Sequence, residues 1–506
     1  MNSSSNSPTL LGIVGAGLMG RGIAQIAIQG GISVLLYDNR PRGAEEARGA
    51  IAATLTMLAD KGKITAADAD AAGARLTVAS SIEELAPCTT VIEAIIERLD
   101  AKKALFEQLE GVVGDTCILA TNTSSLSVTE IAAACRLPGR VAGFHFFSPV
   151  PLMKIVEVIS GPLTDDGIAD TLTAMARQMG HTPVRAADTP GFIVNHAGRG
   201  YLTESLRVLG ENIADFPEID RILREAAGFR MGPFELLDLT GLDVSQPVME
   251  SIYDQFYQEP RFRPSPIARQ RLAARLLGRK TGRGFYRYDG NRKQEAESAP
   301  VPTRTNTPVW LATRDAVAHS GVIALLQSLG AEFEHGERPS AHSLCLVLPV
   351  GRDATSAAVA AQLDPRRTVG LDPLFLTGHR TLMTTPITAP EVRDAAHGLF
   401  ASDGIPVSVI RDSAGFVAQR VIATIVNIGC DIAQQAIATP QDIDKAVTLG
   451  LGYPKGPLAM GDALGAATVL RILDNLFDFY RDPRYRPSPW LKRRALLGLS
   501  LLTPEN

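Results

Sequence analysis

Leu10-Leu11-Gly12-Ile13-Val14-Gly15-Ala16-Gly17-Leu18-Met19-Gly20 is the stretch on which the fold turns. A short apolar run leads into Gly-x-Gly-x-x-Gly, helical spacing follows over Gly20 to Gln29, and Ile32 to Tyr37 is rich in β-formers, which together predict a βαβ unit. The glycine pattern alone is weak, because tight turns between apolar segments produce it by chance. Its setting makes it specific: it follows a strand, opens a helix, and Asp38 stands at the end of the next strand, about 20 residues on. Gly15 and Gly17 let the backbone turn and approach a pyrophosphate, and Gly20 allows close helix–strand packing. Ala16, Leu18 and Met19 complete the turn, and the helix N-terminus supplies positive dipole to the phosphates. Asp38 is placed to accept ribose hydroxyls and to repel a 2′-phosphate, so NAD is predicted rather than NADP. Arg40, two residues later, is the contrary feature.

Outward from this turn, 506 residues exceed one ordinary core, so three or four packed units are expected. Apolar residues at 45% and charged residues at 21% exclude wholesale disorder. Fifty basic against 54 acidic side chains leave a net charge of −4, too balanced for the field that a nucleic-acid partner requires. The five cysteines (Cys88, Cys117, Cys135, Cys345, Cys430) include no Cys-x-x-Cys pair, so neither a disulfide framework nor a metal site is expected. Met1 to Pro8 carries no positive charge and reads as a frayed tail rather than a signal peptide. No apolar stretch approaches the roughly 20 residues that span a bilayer. A cytoplasmic protein without a membrane partner is the expectation.

Apolar runs at Thr90 to Ala94, Thr116 to Thr121, Val141 to Phe147 and Ile155 to Ile159 alternate with helical stretches, as a mostly parallel covered sheet requires. The first domain is placed at residues 8–188. Asp188-Thr189-Pro190-Gly191-Phe192 breaks the pattern, and a helical domain is expected over 189–288, then a linker over 289–307.

The second half repeats the first. Gly191-Phe192-Ile193-Val194 returns as Gly415-Phe416-Val417-Ala418, and Met231-Gly232-Pro233-Phe234 as Lys455-Gly456-Pro457-Leu458, both 224 residues later. Arg140-Val141-Ala142-Gly143-Phe144-His145 has a fainter counterpart in Arg367-Thr368-Val369-Gly370-Leu371-Asp372. Residues 308–405 therefore read as a reduced α/β copy without the glycine turn, expected to bind no dinucleotide, and 406–506 as a second helical repeat.

Oxidation of an alcohol needs a base, a group that tunes it, and donors for the developing oxyanion. His145 lies in an apolar and aromatic run, and twelve residues later Glu157 interrupts Ile155-Val156-Glu157-Val158-Ile159. A carboxylate inside such a strand is costly unless paired, so each is the natural partner of the other. Against this stand a core histidine and an edge glutamate facing water. Thr121-Asn122-Thr123-Ser124-Ser125 puts small hydroxyls at a strand's carboxyl end, where doubly wound sheets build their sites, or forms an ordinary polar turn. Asn195 is an amide aimed at the cleft or a polar surface residue. Nine basic residues from Arg261 to Arg287 (Arg261, Arg263, Arg269, Arg271, Arg275, Arg279, Lys280, Arg283, Arg287) occur without an acid between them; a solvated face is preferred over an anion site.

These motifs in combination resemble the L-3-hydroxyacyl-CoA dehydrogenase family, in its bacterial two-repeat type. They are Gly15 to Gly20, Asn122-Thr123-Ser124-Ser125, His145-Phe146-Phe147-Ser148-Pro149, Lys154-Ile155-Val156-Glu157-Val158, Thr189-Pro190-Gly191-Phe192-Ile193-Val194-Asn195 and Gly232-Pro233-Phe234-Glu235. The resemblance implies an α/β Rossmann domain, then an all-α dehydrogenase C-terminal domain, a degenerate α/β segment and a second all-α repeat. It implies that His145 is the base, that Glu157 orients it, and that Ser124 and Asn195 hold the substrate oxygen. Glu97 and Lys102 match positions lining the nicotinamide end, and Lys61 or Lys63 meets the CoA phosphates. Ser148 departs from the family's usual asparagine, and His196 from its usual arginine. In the copy, Asp372 falls opposite His145, Thr381 opposite Glu157 and Gln419 opposite Asn195, which implies one active site per chain.

The activity implied is NAD-dependent oxidation of a (S)-3-hydroxyacyl-CoA to the 3-oxoacyl-CoA, in fatty-acid β-oxidation or in phenylacetate and aromatic degradation. The alternatives are a dehydrogenase of a small free hydroxy acid and an idle NAD-binding structural protein. The helical domain of the family usually makes dimers, so its duplication implies an intramolecular pseudo-dimer, with a further homo-oligomer left open.

Overall fold

The computed structural model describes residues 9–290, 292–294, 300–312 and 316–505, the side chains of 316–319 excepted. Met1 to Pro8, and Asn291 and residues 295–299 of the expected linker, lie outside the described residues. The chain divides into two compact units, Met1–His196 with Gln435–Leu451, and Ala197–Gln434 with Gly452–Asn506.

The first unit is built on β1 (Leu10–Val14), β2 (Ser33–Tyr37), β3 (Leu76–Val78), β4 (Thr90–Glu93), β5 (Ile118–Thr121), β6 (Val141–Phe146), β7 (Ile155–Ser160) and β8 (Thr182–Ala187). They form one sheet in the order β3-β2-β1-β4-β5-β6-β7-β8. Every neighbouring pair is parallel except β6 and β7, which run antiparallel. Helices α1 (Leu18–Gln29), α2 (Gly43–Asp60), α3 (Ala66–Gly73), α4 (Leu99–Glu110), α5 (Val128–Ala132) and α6 (Ile168–Gln178) supply the crossovers, and α7 (Val194–Ala197) follows β8. All six residues of β6 and the first five of β7 are buried. A strand covered on both faces reads as a continuous apolar run, which is why a histidine and a glutamate stand out there.

The second unit opens with α8 (Arg199–Gly210), α9 (Phe216–Glu225), α10 (Pro233–Thr240), α11 (Leu242–Gln255) and α12 (Pro266–Ala273), closed by a hairpin of β9 (Tyr288–Asp289) and β10 (Arg292–Lys293). A five-stranded sheet follows, β11 (Val309–Leu311), β12 (Leu344–Val347), β13 (Thr368–Leu371), β14 (Arg380–Thr384) and β15 (Val407–Ile410), joined in that order. Its pairings are parallel, parallel, antiparallel, parallel, the same succession as β4 to β8. Among the described residues this sheet matches the succession of β4 to β8 and has no counterpart of β1 to β3. Helices α13 (Ala316–Ser328), α14 (Ala354–Ala360) and α15 (Pro390–Phe400) connect it, and α16 (Val417–Gln434) begins the second helical repeat.

That repeat does not stay together. Helix α17 (Pro440–Leu451) belongs to the first unit, packed against β7 and β8, with Ala187 N–H donating to Ile437 O at 2.8 Å. Ile443, Ala446 and Val447 form its buried face. Helical spacing identifies such a face but not what covers it, so the sequence assigned this segment with 406–506. Helices α18 (Pro457–Leu464), α19 (Ala466–Tyr480) and α20 (Pro489–Leu497) remain in the second unit.

Within the second unit, α8 and α16 are counterparts and pack on one another, Gly200 lying against the backbone of Ile425. The fully buried Arg420 guanidinium, at the position equivalent to His196, pairs with Glu204 at 2.8 Å and Glu211 at 2.7 Å. Arg261, expected on a solvated face, is instead 6% exposed and pairs with Asp431 at 2.5 Å. Arg271 lies over the Phe285 ring, 4.1 Å from its centroid. Part of the basic run is therefore internal structure: long arginine stems bury readily where a carboxylate or ring receives the head.

Candidate active site

The antiparallel pairing of β6 and β7 sets His145 directly across from Glu157. Their side chains meet at 2.7 Å, His145 Nδ1 to Glu157 Oε2, with 5% and 0% of each exposed. The other carboxylate oxygen accepts from Ile193 N–H at 3.0 Å and Val194 N–H at 2.9 Å, where the chain enters α7. Gly191 and Phe192 make that entry with φ of 76° and 49°, a left-handed pair that turns two successive amides toward the carboxylate. Glu157 thus receives two backbone amides on one oxygen and engages Nδ1 of the imidazole with the other, which leaves Nε2 as the ring nitrogen outside this pairing. Phe147 and Phe192 flank the ring at 4.4 and 5.9 Å between centroids.

Asn195 follows Val194, and its Nδ2 donates to Ser124 O at 3.3 Å. Ser124 sits in the turn after β5, and that turn is organised by Glu97. One Glu97 oxygen accepts from Thr123 Oγ1 at 2.7 Å, from Ser124 N–H at 2.8 Å and from Ser125 N–H at 3.1 Å, with the Ser124 and Ser125 hydroxyls each at 3.2 Å. The other is 3.3 Å from Lys102 Nζ. Burial opposes ionisation of Glu97, yet the Lys102 charge and the Thr123 and Ser124 donors prevail and hold its carboxyl below the ordinary range. Lys102 is itself buried, 2.5 Å from Glu93 at the end of β4. Glu93 also accepts from Thr121 Oγ1 at 2.8 Å and Ile95 N–H at 2.7 Å. Glu93 was not singled out from the sequence, although the signal that exposed Glu157 was there: a carboxylate closing the apolar strand Thr90-Val91-Ile92. Asp188 was missed too; it accepts from Ser127 Oγ and from Thr129 N–H and Oγ1 at 2.6–2.9 Å, tying the start of α5 to the end of β8.

The glycine turn is built as a cradle. At Gly15, with φ of 103°, a Cβ would come within 2.5 Å of Ala94 O, and at Gly20 one would lie 1.8 Å from Gly15 O. At Gly17 a Cβ would meet no protein atom within 4 Å, so the turn faces open space above the α1 N-terminus, where no side chain caps the helix. A pyrophosphate fits that opening and those N–H groups. Leu18, in the turn, and Ile96, two residues beyond Ala94, are each 63% exposed. Asp38 receives Ala16 N–H at 2.6 Å and Arg40 N–H at 2.8 Å, one on each oxygen. The Arg40 guanidinium lies 2.9 Å from Glu46, both side chains being largely exposed. Gly15 to Gly20 and Asp38 therefore fit NAD. Lys61 and Lys63 lie exposed on the turn after α2, and no interaction among the described residues links them to the His145 cluster.

In the reduced copy, Asp372 N–H bonds Thr381 O at 3.0 Å, in the register that His145 and Glu157 occupy. Gln419 Nε2 donates to Asp372 Oδ1 at 2.8 Å and its Oε1 accepts from Gly351 N–H at 2.9 Å. No imidazole stands there. Among the described residues no His, Cys, Asp and Glu cluster suits a metal, and no helix is long and apolar enough to cross a membrane.

The family described as the NAD binding domain of 3-hydroxyacyl-CoA dehydrogenase matches residues 10–189, and the C-terminal domain of that enzyme matches twice, at 191–288 and 415–500. The chain is 38% identical to 3-hydroxyadipyl-CoA dehydrogenase of Escherichia coli K12 over 96% of its length and 97% of the relative. It is 40% identical to a probable 3-hydroxybutyryl-CoA dehydrogenase of Deinococcus radiodurans, over 55% of this chain and 99% of that one. A crystal structure of 3-hydroxybutyryl-CoA dehydrogenase from Escherichia coli K12 superposes with a TM-score of 0.86 at 36% identity, covering 97% of this chain and 99% of the other. With a relative above a third identical across nearly both full lengths, and with the family's two domains matched in order, the chain belongs to the 3-hydroxyacyl-CoA dehydrogenase family.

Proposed function

We propose that the first half of the chain oxidises the 3-hydroxyl of a (S)-3-hydroxyacyl-CoA to a ketone, with His145 as the base. The observation that carries this is the Glu157 carboxylate, anchored by two backbone amides and bonded to His145 Nδ1. His145 Nε2 takes the hydroxyl proton as the C3–H bond breaks, and Glu157 stabilises the imidazolium so formed. Ser124 and Asn195 hold the substrate oxygen as it changes from alcohol to ketone. NAD⁺, held by Gly15 to Gly20 and Asp38, with Glu97 and Lys102 at its nicotinamide end, is the hydride acceptor. Lys61 or Lys63 meets the CoA phosphates.

Replacing His145 with glutamine is expected to lower kcat by about 10²–10⁴-fold without unfolding the chain. Turnover within a few-fold of the parent protein sinks the assignment. Comparing free 3-hydroxybutyrate with its CoA thioester separates this reading from a dehydrogenase of small free hydroxy acids, and any NAD-linked turnover disposes of an idle structural role.

For the acyl group, we propose a short or dicarboxylic chain, supported by the 3-hydroxyadipyl and 3-hydroxybutyryl names of the full-length relatives. Assaying both thioesters decides between them, and with them between aromatic degradation and fatty-acid β-oxidation. The α8–α16 packing and the Arg420–Glu204 pair support an intramolecular pseudo-dimer within the second unit. Sedimentation shows whether whole chains associate further.

A further inference from the structure

We propose that Gly450, in the second helical repeat, is a positioning residue for the His145–Glu157 pair of the first half. This role rests on the dehydrogenase reading and adds to it a part played by the second repeat. Ile443, Ala446 and Val447 are the buried face of α17, and Gly450 continues that stripe at the i, i+3, i+4, i+7 spacing of one packed helix face. The stripe ends on Val194. A Cβ at Gly450 would lie 3.0 Å from one methyl of Val194 and 3.1 Å from the other, inside the roughly 3.5–4.0 Å of ordinary carbon contacts. Glycine weakens a helix relative to alanine, and Gly450 has no positive φ to require it. Its counterpart in the first repeat, 224 residues earlier, is Ala226. The contact with Val194 accounts for the glycine: without a side chain at 450, α17 can seat against that residue.

Val194 is also the residue whose N–H donates to Glu157 Oε1 at 2.9 Å, beside Ile193 N–H at 3.0 Å. Glu157 Oε2 lies 2.7 Å from His145 Nδ1. Gly450, Val194, Glu157 and His145 thus form an unbroken line of contacts. Val194 cannot yield to a larger neighbour by turning, because it is 1% exposed and both of its methyls face Gly450. Any staggered rotation about χ1 leaves at least one methyl in place. In a close-packed interior the relief comes from the backbone, which shifts the amide that fixes the carboxylate.

Gly450→Ala and Gly450→Val in the full chain test this, by melting and by steady-state kinetics with NAD⁺ and the (S)-3-hydroxybutyryl and 3-hydroxyadipyl thioesters of CoA. With alanine kcat is expected to fall about threefold to tenfold, and with valine up to about 10²-fold, while KM for NAD⁺ stays within about twofold. In a Val194→Ala background, where the two methyls are gone, Gly450→Ala is expected to leave kcat unaltered. Should the valine variant fail to fold, the alanine pair decides. An unmoved kcat in Gly450→Ala, above all with the raised melting temperature that alanine gives in an uncrowded helix, overturns the proposal. So does a kcat loss of equal size in both backgrounds. His145→Gln, measured alongside, separates this role from the reading beneath it. If that variant keeps turnover, the dehydrogenase reading falls; if it loses turnover while Gly450→Ala keeps it, the role of Gly450 alone falls.

Discussion

Lys102 Nζ lies 2.5 Å from a Glu93 carboxylate oxygen, with 1% and 0% of the two side chains exposed. On its other side the ammonium reaches Glu97, whose second oxygen gathers the turn that carries Ser124. A charge buried this completely is tolerated only while it is paired, so the chain Glu93, Lys102, Glu97 behaves as one unit.

Glu93→Gln is therefore expected to lower both stability and turnover. Removing one partner of a buried pair costs about 3–5 kcal/mol, and slippage of Ser124 by about 1 Å costs up to 10²-fold in rate. Calorimetry and kcat measured on the folded fraction check this. A lowered melting temperature with an unaltered kcat would make Glu93 structural only.

Glu157→Gln keeps an oxygen for the Ile193 and Val194 amides but presents an amide to His145 Nδ1. The imidazole then favours the tautomer with its proton on Nε2, which cannot act as base. By analogy with the triad aspartate of serine proteases, kcat is expected to fall about 10⁴-fold with geometry nearly intact. A loss below tenfold, with the backbone unmoved, argues that another group takes the proton.

Asp38→Ala is expected to weaken NAD about tenfold or more while leaving thioester affinity within a few-fold. Pairing it with Glu46→Gln, which releases Arg40, should shift preference toward NADP. Equal losses for cofactor and thioester would count against the ribose role.

Asp372 is fully buried, and desolvation lifts its carboxyl from 3.8 to about 7, against smaller opposing contributions from Gln419 and Leu374. Its other oxygen, Oδ2, has no hydrogen-bond partner among the described residues. The folded value exceeds the unfolded one, so the folded chain binds the proton more tightly between them. Stability is then greatest below the unfolded value and declines as the pH rises toward about 7, beyond which the loss is complete. Asp372→Asn mimics the protonated acid. It is expected to stabilise by on the order of 2–4 kcal/mol at about pH 8 and by little at about pH 4. Equal melting shifts at both values would show that Asp372 does not titrate in this range.

Local signals made much of this legible. The glycine turn, Asp38 and the apolar strands are short-range patterns, and the duplication is visible as repeated motifs. The odd polar residues in β6 and β7 were visible for the same reason: an apolar run makes a charge conspicuous. Glu93 carried that signal at the end of β4 and went unread, because a carboxylate at a strand's last position is ordinary unless its burial is known.

Short-range pattern in the chain is enough for the βαβ cofactor unit, the candidates His145 and Glu157, and the missing glycine turn of the second half. Tertiary structure alone decided the rest. The β6–β7 register joined two candidates twelve residues apart, the fold closed Lys102 between Glu93 and Glu97, and α17 was given to the first unit. The physical reason is that periodicity reports which face of an element is buried, whereas pairing depends on register and on which distant surface covers that face.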